Sequence, residues 1–93
     1  MKVYPVSAKK SVKNMYKLRL FSRPDCHLCD VAIALVKNCG EIVDLEKVNI
    51  EDELRLLDRY RLSIPVLQRL DNGAELGWPF DESGLACFLK GEA

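Results

Sequence analysis

The stretch Tyr16-Lys17-Leu18-Arg19-Leu20-Phe21-Ser22-Arg23-Pro24-Asp25-Cys26-His27-Leu28-Cys29 decides how this chain is read. Tyr16, Leu18 and Leu20 alternate with Lys17 and Arg19, the period of a strand with one covered face. Ser22-Arg23-Pro24-Asp25 ends that alternation. From Leu28 onward apolar side chains fall at Leu28, Ala32, Leu35, Val36 and Cys39, which share one face of a helix. Gly40, just past its end, suits a left-handed C-terminal cap. A cysteine pair with two intervening residues therefore sits where a strand gives way to a helix. Unpaired backbone N–H groups and the positive end of the helix dipole at that place favour a thiolate. Thiols in such motifs fall from a pKa of about 8.5 to roughly 3.5–7.5. Two intervening residues on a helical turn also bring the sulfurs within bridging distance. Cys26, nearer the helix start, is expected to attack a disulfide, and Cys29 to resolve the mixed disulfide.

Downstream, Val43, Leu45, Val48 and Ile50 mark a second strand with one slip of phase. Glu51-Asp52-Glu53 is expected to open a second helix, since carboxylates suit a helix N-terminus, with Leu54, Leu57 and Tyr60 or Arg61 on its inner face. Ile64-Pro65-Val66-Leu67 reads as a third strand, its proline placed where no ladder bond is lost. Asp71-Asn72-Gly73 then signals a hairpin, both Asn72 and Gly73 tolerating positive φ. Pro79 ends a short fourth strand, and Leu85, Phe88 and Leu89 form the inner face of a last helix weakened by Gly84. The order is βαβαββα: an α/β domain with a four-stranded mixed sheet and helices on both faces.

The 93 residues accommodate one core, and 48% hydrophobic with 30% charged residues is a globular balance. Formal net charge is zero, but every charged residue from Lys2 to Arg23 is basic, and all fourteen acids lie beyond. Residues 1–14 lack strand or helix periodicity and are expected to form a basic, flexible extension, with the domain proper at 15–93. No apolar run is long enough for a membrane span. The expectation is a cytoplasmic monomer that engages neither membrane nor nucleic acid; a mitochondrial matrix location would follow if residues 1–14 belong to a presequence. Cys39 and Cys87 are read as isolated, buried thiols. Without a second close pair of ligands, Cys26 and Cys29 do not make a four-coordinate zinc site, so no metal is assigned.

Phe21 to Cys29 and Tyr60-Arg61-Leu62-Ser63-Ile64-Pro65-Val66 together resemble the thioredoxin superfamily, and more closely its short glutaredoxin-like branch. The resemblance implies a thioredoxin-like fold and reduction of protein or glutathione mixed disulfides by the Cys26/Cys29 dithiol. It also implies a cis Pro65 facing the cysteines, with the Ile64 backbone pairing with an extended substrate. Arg23 matches a basic position that meets the glycyl carboxylate of glutathione, and His27 adds a charge beside the thiolate when protonated. The usual Gly-Gly turn is replaced by Gly77-Trp78-Pro79-Phe80-Asp81, in which Gly77 and Asp81 would retain part of the glutathione site. Cys-Pro-Tyr-Cys is likewise replaced by Cys26-His27-Leu28-Cys29. No tightly bound cofactor is implied; glutathione enters as co-substrate. The alternatives are a glutathione-ligated iron–sulfur carrier and an interaction module whose thiols are incidental.

Overall fold

The computed structural model describes residues 15–91. Strand β1 (Tyr16–Ser22) turns into helix α1 (His27–Lys37). Strand β2 (Val43–Asn49), a 3₁₀ turn (Ile50–Asp52) and helix α2 (Leu54–Tyr60) follow. Strands β3 (Val66–Arg69) and β4 (Glu75–Gly77) and helix α3 (Glu82–Lys90) complete the chain. The strands lie in the order β2-β1-β3-β4. β1 runs parallel to β2 and antiparallel to β3, and β3 runs antiparallel to β4. This is the expected thioredoxin-like arrangement. The extension expected at 1–14 lies outside the described residues.

Period-two alternation sends successive side chains of β1 to opposite faces, and each face finds its own helices. Leu18 and Leu20 pack with Leu67 against Ala32 and Val36 of α1 and Leu85, Phe88 and Leu89 of α3. Phe21 and Val66 point the other way, into a smaller cluster with Ile50 and Tyr60. There the Phe21 and Tyr60 rings stack with centroids 4.3 Å apart and planes 10° from parallel. The Tyr60 hydroxyl donates to Glu75 at 2.6 Å, and burial together with that bond pushes the phenol above its ordinary pKa. The two faces also explain the slip in β2: Val43 and Leu45 join the α1 side, whereas Val48 joins the α2 side.

Several local expectations give way to packing. Leu54 is 79% exposed, because the core position at this end of α2 goes to Ile50 in the 3₁₀ turn, which is fully buried. The acidic run Glu51-Asp52-Glu53 thus enters a separate turn, and Glu53 caps α2 without a side-chain hydrogen bond. Leu28 is exposed as well; the buried stripe of α1 is Cys29, Ala32 and Val36. Cys39 is only half-buried and Cys87 is exposed on α3, correcting the expectation of two buried thiols. In the hairpin, Gly73 alone takes positive φ (77°), and Asn72 instead accepts the Ala74 N–H through its side chain.

Arg69 fastens α3 to the sheet. One guanidinium nitrogen donates to the carbonyls of Phe88 and Leu89 in the last helical turn at 2.9 and 2.8 Å, the Phe88 carbonyl also accepting the Gly91 N–H at 3.1 Å. The others hold Asp71 at 3.0 and 2.6 Å, and this pairing draws the Asp71 carboxyl below its ordinary pKa. Arg69→Ala should therefore cost about 2–3 kcal/mol in urea unfolding, the range for charge-assisted bonds lost at a covered site. Gly84→Ala should act in the opposite sense. Its new Cβ would meet Asp81 Oδ1 at 3.4 Å and Phe80 Cβ at 3.7 Å, ordinary contacts. A gain of about 0.5–1 kcal/mol is expected from helix propensity, measured by the same unfolding curve.

Candidate redox site

Strand register assembles the site at one end of the sheet. Phe21 pairs with Val66, Ser22 with Asn49, and Val66 with Gly77. The carboxyl ends of β1, β2 and β4 therefore meet the amino end of β3. That end carries the Arg23–Cys26 loop, the 3₁₀ turn, Ile64-Pro65 and Gly77, four segments scattered in sequence. The Ile64–Pro65 and Trp78–Pro79 peptide bonds are both cis. Pro65 is fully buried, and its carbonyl accepts the Trp78 N–H at 3.1 Å.

Cys26 occupies the N-cap of α1 in an extended conformation. Its Sγ accepts the backbone N–H of Cys29 at 3.2 Å, as a capping oxygen would. The two cysteines form a disulfide across a Cα–Cα separation of 5.2 Å. Their environments differ sharply. Cys26 is partly open to solvent, whereas Cys29 is 1% exposed in the seam between α1 and the sheet. Asp25, just before the pair, has φ of 59°, a left-handed conformation that Asp adopts more readily than most residues. Nothing in the periodicity of the sequence marks it.

A cleft of about 360 Å³ opens beside the disulfide. It is lined by the Ser22–Cys26 loop, by Cys29 and Asp30 of α1, and by Lys47 and Asn49 of β2. No motif in the sequence marks Lys47 or Asn49. They reach the site because Leu20 pairs with Lys47 and Ser22 with Asn49, a relation visible only once the strands are aligned. The Asn49 side chain accepts the Glu51 N–H at 2.9 Å and so steadies the 3₁₀ turn. That turn aims Glu51 at Arg23, which it holds at 2.8 and 3.0 Å.

The remaining candidates divide. Arg23 lies on the cleft but is engaged by Glu51, and His27 stands exposed in the first turn of α1. Ile64 is half-buried in the α2-side cluster. Gly77 lines a separate cavity of about 310 Å³ with Ser63, Val66 and the Tyr60–Glu75 pair. Asp81 has a structural occupation: it caps α3, accepting the Gly84 N–H at 2.8 Å. Neither Gly77 nor Asp81 lines the cleft beside the cysteines. Among the described residues, no three His, Cys, Asp or Glu side chains are grouped to hold a metal ion, and no helix is long and apolar enough to cross a membrane.

An N-terminal cap sulfur facing solvent and a buried partner at bonding distance make a redox-type centre. Known proteins agree with this at the level of family. Two solved structures of the structural-genomics target protein XcR50 from X. campestris, one by X-ray and one in solution, are each 38% identical to the chain. They superpose with TM-scores of 0.73 and 0.69, covering 80% of this chain and 96% and 92% of theirs. No curated protein matches. The family profile described as "Glutaredoxin-like domain (DUF836)" spans residues 17–90, nearly the whole described fold, and the chain belongs to that glutaredoxin-like family.

Proposed function

We propose that the protein is a dithiol oxidoreductase that reduces disulfides of proteins or mixed disulfides of glutathione. The observation that carries this reading is the unequal Cys26–Cys29 pair at the start of α1. Cys26 as thiolate attacks the substrate disulfide, helped by the Cys29 N–H that already points at its sulfur. One substrate thiol leaves, and a mixed disulfide joins Cys26 to the other half. Cys29 then loses its proton and attacks Cys26, closing the intramolecular bond and releasing the second thiol. Two electrons pass from the dithiol to the substrate.

The surroundings bear on the choice of substrate. The Ile64 carbonyl, at the same end of the sheet, is the backbone group left for an extended peptide, since the Ile64 N–H is given to Tyr60 and the Pro65 carbonyl accepts from Trp78. A glutathione carboxylate arriving at Arg23 competes with Glu51, an exposed pair of the kind worth about 0.2–1 kcal/mol. Arg23 thus remains accessible to an anion at modest cost, and a protein disulfide needs no such exchange.

Reduced and oxidised protein should differ by the mass of two hydrogens, and Cys26→Ser should abolish turnover of a protein disulfide. Cys29→Ser should retain attack and accumulate a mixed disulfide, seen as an added substrate mass on the intact chain. Trapping at Cys29 in Cys26→Ser would reverse the assigned roles. Replacing Glu51 tests the glutathione arm: Glu51→Gln should lower the KM for glutathione about two- to threefold, as expected from releasing an exposed ion pair. An unchanged KM would show that Arg23 takes no part in binding it.

A further inference from the structure

The two sulfurs face different chemical problems. Cys26 has a backbone donor at its sulfur and an opening to solvent. Cys29 must become a thiolate while 1% exposed, and burial opposes that charge. Its neighbours along α1 are Ala32 and Val36, which carry no donors.

One buried group near it does. Ser22 is the one buried polar side chain among the described residues, at 1% exposure. It lies two residues beyond Leu20 and four beyond Leu18, so strand alternation puts it on the face of β1 that packs against α1. Cys29 heads the stripe Cys29, Ala32, Val36 on the opposing face of α1. Both residues line the cleft beside the disulfide. No side-chain hydrogen bond joins Ser22 to any described residue, whereas Asn49, its partner across the sheet, is bonded to the 3₁₀ turn. A buried hydroxyl without a partner is costly unless some state of the protein supplies one.

We infer that Ser22 is a positioning residue for the resolving step, its hydroxyl donating to the Cys29 sulfur as that sulfur ionises. The inference rests on the dithiol reading above. In the step, the Cys29 S–H proton leaves through the cleft to water, and the thiolate attacks Cys26 Sγ. The Cys26–Cys29 bond forms while the bond from Cys26 to the substrate sulfur breaks. The departing thiolate takes up a proton from solvent, and the electron pair on Cys29 is the one consumed. Ser22 neither gains nor loses a proton; it stabilises the anion. Arg23 and Asp25 of the loop, Asp30 of α1 and Lys47 of β2 are the charged groups around the same cleft, and they stay constant when Ser22 alone is changed.

The test uses the full chain with Cys39→Ser and Cys87→Ser, so that only the pair reacts, and the aromatic disulfide 5,5′-dithiobis(2-nitrobenzoate) as probe. Attack by Cys26 releases one coloured thiolate in a phase that depends on reagent concentration. Resolution by Cys29 releases the second in a phase that does not. Ser22→Ala should leave the first phase unchanged. It should slow the second about tenfold near neutral pH, with its pH profile displaced to higher pH, the order of effect of one charge-assisted hydrogen bond. Ser22→Thr, which keeps the hydroxyl, should recover most of the rate. An unchanged second phase in Ser22→Ala overturns the inference, as does equal slowing of both phases or a failure of Ser22→Thr to differ from Ser22→Ala. Absence of any second phase in the Ser22 parent overturns the dithiol reading itself.

Discussion

The seam between β1 and α1 holds the molecule to its purpose. Leu18 and Leu20 on the strand close against Ala32 and Val36 on the helix, and all four are almost wholly shut off from water. At roughly 25 cal/mol for each Å² of apolar surface removed from water, this contact is among the larger stabilising terms of so small a domain. Its consequence is geometric. A helix pinned along that stripe can place its first turn in only one way, and Cys29, three residues before Ala32, must then point inward. Cys26, at the cap, must stay at the rim.

The rest of the fold supports that placement from behind. Helix α3 completes the same core through Leu85, Phe88 and Leu89 and is tied to β3 by Arg69. On the opposite face the Phe21–Tyr60 stack anchors α2 to the end of β1 from which the cysteine loop departs. The end that carries the cysteines is therefore braced on both faces, while the loop keeps an unusual left-handed Asp25 just before Cys26. The polar groups of the cleft come from three elements, none of which could assemble it alone.

This arrangement gives the two cysteines different chemical surroundings. The backbone donor at Cys26 belongs to every helix start; the buried setting of Cys29 belongs to the packing. Membership of the glutaredoxin-like family is consistent with thiol redox chemistry. The ion pair between Arg23 and Glu51 holds that arginine in a local balance its place in the sequence does not reveal. Asp81 likewise has a task in the fold, one of its carboxylate oxygens capping α3.

Much was legible in the chain itself, for identifiable reasons. Alternation in Tyr16–Leu20, the helical stripe after Cys26 and the apolar run at Pro65 are local signals, and local signals survive into any fold. They sufficed for the element order, the thioredoxin-like class and the cysteine pair. Leu54, Leu28 and Cys87 stay exposed, and Cys39 half-covered; periodicity tells which residues share a face, not how far a partner covers it. Lys47, Asn49 and the role of Ser22 beside Cys29 were invisible for a related reason. They depend on register between strands distant in sequence, and a pairing of Ser22 with Asn49 exists only after the sheet has formed. The sequence by itself determined where the redox pair would lie; tertiary structure decided which sulfur is buried, and what surrounds it.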